Sequence, residues 1–289
     1  MDDPPIAISR HRSELGAWEM ATRQAHPALR GYVGGYCGYW ERTPRPLRRR
    51  EVPSTTVPLI ISFGEPIDVS WPGHGTASRG LTSFVAGVHD RPVVTEHAGS
   101  QHGIEVMLTP LGAYTLLGVP MRELANTVVE VEDLLGGGAG KLTARLAETP
   151  AWDERLTMLE EALAVRLAAG REPSGEVTHA WSRLCQTAGG LSIGGLAAEL
   201  GWSRRHLVDR FREQVGLPPK TMARVLRFQR GLRFLKEDNG PQRSWAEVAV
   251  LCGYYDQAHL NRDFRELAGC TPTELLAAQL PDGAGIAVG

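Results

Sequence analysis

The stretch FREQVGLPP at Phe211 to Pro219 returns 53 residues later, slightly altered, as FRELAGCTP at Phe264 to Pro272. Self-similarity of this kind marks a supersecondary unit used twice, and it constrains the fold more than any single-window propensity. Read backwards from each phenylalanine, the likeness lengthens to LSIGGLAAELGWSRRHLVDRFREQVGLPP and RSWAEVAVLCGYYDQAHLNRDFRELAGCTP. Each copy predicts a short apolar helix holding a small residue, Ala197 or Ala249, with a glycine four positions on, Gly201 or Gly253. A turn with a capping residue follows, Ser203 or Asp256, then a second helix with Leu207 and Phe211, or Leu260 and Phe264, four apart. Two helices that cross steeply over a three- or four-residue turn need a small side chain at their contact and often a glycine at the corner. The serine or aspartate can accept from exposed amides of the helix it opens.

With Leu and Phe turned inward, the opposite face of each second helix is left to solvent or to a partner. In the first copy that face carries Arg204, Arg205, Val208, Asp209 and Arg212; in the second it carries Gln257, Ala258, His259, Asn261 and Arg262. Arg can make two hydrogen bonds to guanine, Asn and Gln two to adenine, and Ala or Val can touch a thymine methyl. A polar helix face can also simply be solvated, but two copies with one turn grammar and one inward pair favour a reading surface. Between the copies, PPKTMARVLRFQRGLRFLKEDNG predicts a helix from Lys220 to Lys236 with Pro219 at its start and Asn239-Gly240 as its stop. At 1.5 Å per residue it spans about 25 Å, a rigid spacer able to hold two reading heads one DNA turn, about 34 Å, apart. Arg224, Arg227, Arg230 and Arg233 wind around this spacer, available to phosphate or to packing through their stems.

The overall charge of −2 looks unpromising for a nucleic-acid partner, but it is unevenly placed. Gly175 to Leu280 holds 14 Lys and Arg against 11 Asp and Glu, +3, which leaves −5 for the rest. Such asymmetry suits a chain of which only one part meets phosphate. The four cysteines, Cys37, Cys185, Cys252 and Cys270, lack CxxC spacing, which argues against a zinc knuckle and a disulfide framework. The N-terminus lacks a signal-like apolar core and no run of about 18 apolar residues occurs, so a cytoplasmic protein without a membrane partner is expected.

Leu191 to about Leu280 resembles the C-terminal DNA-binding domain of the AraC/XylS family of bacterial transcriptional regulators. SRRHLVDRFREQVGLPPKTMARVLRFQRGLRFL and VAVLCGYYDQAHLNRDFRELAGCTP carry the likeness, including one extra residue in the second turn. The resemblance implies two helix-turn-helix units joined by a helix, with both recognition helices entering successive major grooves. It puts Arg204, Arg205, Val208 and Asp209 on the first reading face, and Gln257, Ala258, His259, Asn261 and Arg262 on the second. Tyr255, where a small polar residue is more usual, and Asp209, where a basic or neutral reader is common, depart from the pattern. The Asp209 carboxylate is repelled by phosphate, so it either accepts from cytosine N4 or pairs with a neighbouring Arg.

Upstream, YVGGYCGYW, STTVPLIISFG, TSFVAGV, PVVTEH and HGIEVMLTP are short β-prone runs cut by Gly and Pro, the texture of a small barrel or sandwich. A short helix is expected over Leu111 to Leu117 behind Pro110, and GGGAG at Gly136 to Gly140 is the clearest break. In AWDERLTMLEEALAVRLAAG, the residues Trp152, Leu156, Leu159, Leu163 and Leu167 share one helix face, which ends at Gly170. The helix serves dimerisation or domain contact, or is buried in its own chain. REPSGE at Arg171 to Glu176 reads as a short hinge, and a helix around Val177 to Thr187 opens the last domain. The class is α+β: a β-rich sensor domain over 1–135, cupin-like barrel or sandwich, a helical linker or dimerisation region over 136–174, and an all-α DNA-binding domain over 175–289.

Tyr36, Tyr39, Trp40, Phe63, Trp71 and Phe84 could line an effector pocket in the first domain or serve as its core. His89, His97 and His102, with Glu96 and Glu105, are metal-ligand types, but HxH spacing is missing and no metal or other cofactor is expected. The function expected is sequence-specific transcriptional regulation under a small-molecule effector. Expected partners are double-stranded operator or promoter DNA, the effector, a second copy of the chain, and RNA polymerase if the regulator activates. The alternatives are a DNA-repair alkyl transferase and an architectural DNA-binding protein without ligand control. The former needs a Pro-Cys-His nucleophile and a four-Cys metal site, and neither occurs. GGGAG also lacks the Lys and Ser or Thr of a phosphate-cradling loop.

Overall fold

A polar hairpin opens the molecule, seen in a computed structural model that describes residues 4–73, 75, 77–236, 243–280 and 285–288. Its strands, β1 (Ala7–Ser13) and β2 (Gly16–Arg23), form one edge of a sheet with β3 (Val33–Arg42). The strands that follow are β4 (Leu47–Glu51), β5 (Val57–Ser62), β6 (Ile67–Ser70), β7 (Ala77–Leu81), β8 (Phe84–Ala86), β9 (Val93–His97), β10 (Ser100–Leu108) and β11 (Val128–Glu130). They make two antiparallel sheets, one of seven strands ordered β1-β2-β3-β10-β5-β8-β11 and one of four ordered β4-β9-β6-β7. The sheets face each other across Val69, Trp71, Leu81, Phe84, Val93 and Val128. Neither sheet closes on itself, so the barrel-or-sandwich expectation resolves to an open sandwich.

The outer face of the large sheet is covered by helices. α1 (Pro110–Leu117) starts at Thr109, whose hydroxyl accepts from the Gly112 amide, and ends on Gly118 in the left-handed region at φ 70°. Two short helices follow, α2 (Val131–Leu135) and α3 (Gly138–Glu148), before the long α4 (Trp152–Ala168). The glycine run expected as a break therefore interrupts the chain only at Gly136 and Gly137, and Gly138 to Gly140 open α3.

Trp152, Leu156, Leu159, Leu163 and Leu167 of α4 are all buried inside this chain. Each apolar side chain so placed contributes about 1.5–3 kcal/mol relative to exposure. Gly38 of β3 admits the helix, since a Cβ there would lie 2.5 Å from the Trp152 ring. The packing also holds charges. Glu160 accepts from Arg23 Nη2 at 2.8 Å, the His26 amide at 2.7 Å and the Tyr36 hydroxyl at 3.1 Å, a buried cluster that fixes α4 to β2 and β3. The Arg155 guanidinium lies over the Trp152 and Phe63 rings and donates through Nε to the Leu146 carbonyl.

The C-terminal part is helical throughout: α5 (Gly175–Gln186), α6 (Ile193–Glu199), α7 (Arg204–Val215), α8 (Pro219–Lys236), α9 (Trp245–Leu251), α10 (Gln257–Ala268) and α11 (Pro272–Ala277). The stop expected at Asn239-Gly240 lies outside the described residues. One apolar core runs unbroken from the large sheet through α1 and α4 into α5, α6, α7 and the start of α8. The rest of α8 packs with α9, α10 and α11 around a second core containing Phe228, Leu260, Phe264 and Leu275. The first helical pair is thus built into the β-rich domain's own core.

Candidate nucleic-acid interface and the cavity behind it

Both repeats fold as bihelical corners. In the first, α6 and α7 meet through Ala197, 2% exposed, with Leu207 and Phe211 fully buried. Gly201 turns the corner at φ 66°, and the Ser203 side chain caps α7 by accepting from the His206 amide at 3.2 Å. In the second, Ala249, Leu260 and Phe264 are fully buried, and Gly253 adopts φ 80°. Asp256 Oδ1 accepts from the His259 amide at 2.7 Å. The same four roles are filled by residues at corresponding positions, which is why the two sequences read alike.

The outward faces follow from this. Arg204, Arg205, Asp209 and Arg212 are exposed on α7, with Val208 half-buried between them. Gln257, Ala258 and Arg262 are exposed on α10, with His259 and Asn261 half-buried. Asp209 pairs with Arg205 at 3.9 Å, and both side chains are largely in solvent, so the pair is worth at most about 1 kcal/mol. The Arg204 guanidinium folds back across Gly194 of α6. Arg265, exposed one turn beyond Arg262, continues the α10 face as helical spacing predicts, whereas His206 stacks edge-on against Trp202 beside the α7 face. Tyr255, 90% exposed at the mouth of the second corner, belongs to the same surface.

The spacer arginines divide by role. Arg224 donates to Asp263 Oδ1 from Nε and Nη2, at 3.1 and 2.9 Å, and also pairs with Glu266, joining α8 to the back of α10. Arg227 donates to the Gly189 carbonyl at 2.9 Å and lies over the Tyr254 ring. Arg233 is exposed and Arg230 half-buried.

Both heads rest on the β-rich domain. The end of α7 lies against the 3-10 turn Met121–Glu123 and α1, and Gly216, at φ 110°, is so close that a Cβ would come within 2.6 Å of Val88. Arg171 extends over the Tyr114 ring and pairs with Glu213 at 3.7 Å, and the Ser174 amide donates to Gln214 Oε1 at 2.8 Å. The second head is held by the end of β4 and the residues just after it. Arg50 Nη1 donates to the Ala268 carbonyl, the last of α10, at 2.8 Å, Val52 packs against the second core, and Gln229 of α8 donates to the Pro53 carbonyl.

Between the two sheets lies a cavity of about 460 Å³, within the range of small-molecule sites. Tyr39, Trp40, Trp71 and Phe84 line it. Tyr36 does not: it lies on the helix-covered side, bonded to Glu160. Phe63 is on that side too, edge-on to His102 at 5.2 Å. His89 and His97 line the cavity, whereas His102 contacts Arg155 Nη1 at 3.0 Å on the other face, so the three histidines are not brought together. Glu105 also faces the cavity and Glu96 pairs with Arg48 at the surface. Among the described residues no group of three or more His, Cys, Asp or Glu could hold a metal ion.

The cavity's acids are unequally served. Burial would raise Glu41, but hydrogen bonds from His97 and Arg49 outweigh it and hold the carboxyl below its ordinary range. Burial pushes Glu51 upward despite a hydrogen bond from Thr95 Oγ1 at 3.2 Å. Glu105 is raised to about 7, by burial first and then by Glu51. Burial lowers His89, which is therefore neutral at pH 7.

Two capped bihelical corners, joined by a stiff helix and presenting exposed polar faces, define a helix-turn-helix DNA-binding protein. Residues 196–278 match the family described as "Helix-turn-helix domain", and this C-terminal domain is of the AraC type found in transcriptional regulators. Residues 21–130 match a domain family of unknown function. No curated protein matches the chain. Among solved structures, ToxT from Vibrio cholerae O395 is similar at 11% identity and TM-score 0.46, over 81% of this chain and 96% of that one. ToxT from strain SCE256 with unsaturated fatty acid bound is similar at 9% identity and TM-score 0.47, over 81% and 96%. An AraC-type regulator from Chromobacterium violaceum is similar at 26% identity and TM-score 0.33, over 37% of this chain and 95% of that one. Among the described residues no helix is long and apolar enough to cross a membrane.

Proposed function

We propose that this chain reads a bipartite DNA site with Arg204, Arg205, Val208, Asp209 and Arg212 of α7 and Gln257, Ala258, His259, Asn261 and Arg262 of α10, under control of a small molecule held between the sheets. The observation that carries the second half is the β4 segment. Glu51 lines the cavity, while its neighbours Arg50 and Val52 bind the second head, one at the end of α10 and the other in the core beneath it. A ligand that displaces Glu51 by a fraction of an ångström therefore moves the residues that orient α10. The other wall supplies a matching contact, since Gly87 and His89 line the cavity and Val88 between them meets Gly216 at the end of α7. Two packed arrangements of these segments would supply the bistable element that coupling between sites requires.

The test is by substitution on the reading faces. Arg205→Ala and Arg262→Ala should each weaken binding to a selected site by about 1–3 kcal/mol and relax base preference at one position. Unchanged affinity in both variants refutes the assignment of these faces. A selected site whose affinity is indifferent to every small molecule bound by the protein leaves an architectural DNA binder instead.

A further inference from the structure

We propose that the cavity between the two sheets takes a small organic cation, an amine or quaternary ammonium carried on an apolar body. This deepens the effector reading above and rests on it. Glu105 comes from the large sheet and Glu51 from the small one, and both line the same cavity. Arg49 and His97 are engaged at Glu41, where Arg49 forms an ion pair and His97 Nε2 lies 3.6 Å from Oε2. Among the described residues, Glu105 has no hydrogen-bond or ion partner, and Glu51 has the Thr95 hydroxyl together with the more distant charge of Arg49. Two carboxylates brought to one partly enclosed cavity ionise together less readily than apart unless a cation lies between them. The upward shift of Glu105, by burial first and then by Glu51, agrees with that arrangement.

The walls point the same way. Tyr39, Trp71 and Phe84 bring aromatic surface to a site beside the acids, and ring faces attract ammonium groups, most of all when water is excluded. Gly103 makes room for Tyr39, whose hydroxyl would be 2.7 Å from a Cβ placed there. Three further lining residues hold buried polar atoms without a partner: Trp71 Nε1, His89 Nε2 and Gln101 Oε1, on side chains 7%, 9% and 3% exposed. Buried polar atoms are almost always satisfied in a working structure, so these three leave unmet polar demand in the cavity wall. Gln101 Oε1 is an acceptor suited to an ammonium N–H. A carboxylate ligand would meet Glu51 and Glu105, with Arg49 of the lining already held by Glu41.

The experiment is calorimetric titration of the full chain with phenethylammonium, 2-phenylethanol and phenylacetate, which share one aromatic body and differ in charge, with oleate as a long-chain carboxylate. The ammonium should bind at least tenfold more tightly than the alcohol, and phenylacetate and oleate should not compete with it. Glu105→Gln and Glu51→Gln, checked for folding by circular dichroism, should each weaken the ammonium at least tenfold and leave the alcohol within threefold. The proposal is overturned if the alcohol or a carboxylate binds as tightly as the ammonium, if none of the probes binds at millimolar concentration, or if both Gln variants retain full ammonium affinity. Affinity for a selected DNA site is read beside each titration. An ammonium that binds without changing DNA affinity sustains the ligand class and removes the effector reading; a carboxylate that binds and changes DNA affinity does the reverse.

Discussion

Arg50→Ala isolates the link between the cavity wall and the second reading head. Arg50 donates through Nη1 to the Ala268 carbonyl at 2.8 Å, where the unsatisfied carbonyls of α10 gather partial negative charge. A charge-assisted bond of this kind contributes about 1.5–3 kcal/mol, and the helix end adds a few tenths. The backbone bond from the Arg50 amide to the Ile286 carbonyl survives the substitution, so β4 stays in place and only the tether to α10 is lost. About 2 kcal/mol corresponds to a factor of about 30 in the local opening equilibrium. Native-state hydrogen exchange should show that loss of protection at the last amides of α10, with amides of the large sheet unchanged. Arg48→Ala is the control: Arg48 pairs with Glu96 at the surface, 55% and 47% exposed, and its loss should cost no more than about 0.5 kcal/mol. Equal protection of α10 in both variants refutes a mechanical link through Arg50.

Glu160→Ala strips the partner from a nearly fully buried Arg23 and leaves the Tyr36 hydroxyl unsatisfied, so urea denaturation should report a loss of about 3–5 kcal/mol. Asp263→Ala should cost less, about 2–3 kcal/mol, because Arg224 keeps Glu266 and part of its hydration; the loss should fall on the second core, visible in Trp245 fluorescence. Glu105, raised to about 7 from 4.5, stabilises the ligand-free fold at acid pH, and that contribution fades as pH climbs from about 4.5 through 7. It faces Glu51 across the cavity, with Glu41, Arg49, His97, His89, Cys37 and Tyr39 around it. Because Glu105 is only half-buried, solvent screening reduces the effect to about 1–3 kcal/mol between pH 5 and 8. Glu105→Gln should flatten the stability–pH profile over that interval, and an unaltered slope contradicts the shift.

The DNA-binding half was legible because its determinants are local. Ala197, Gly201, Ser203, Leu207 and Phe211 lie within fifteen residues, and a second copy checks each role. The β-rich half depends on pairings distant in sequence. β1 and β2 went unread because their hairpin forms a sheet edge and carries Arg10, His11, Arg12, Glu14 and Glu19, with little alternation to betray a buried side. Period-two geometry separates two of the aromatics: Tyr36 and Tyr39 are three apart on β3 and so fall on opposite faces, which explains why only Tyr39 of the two reaches the cavity. The five apolar residues of α4 follow from its period, but Glu160 and Arg155 on the same helix are buried through partners far earlier in the chain, Arg23 and Phe63. No window on the helix reveals them. Facing acids Glu51 and Glu105 were likewise invisible, since it takes two sheets to bring them to one space.

Selection of duplexes from a random pool by the purified chain, followed by footprinting of the enriched site, addresses whether the twin helical corners read DNA together. Two protected half-sites centred about 34 Å apart on one side of the duplex are expected, with affinity falling steeply as salt rises. A pool that emerges without sequence enrichment would contradict the account.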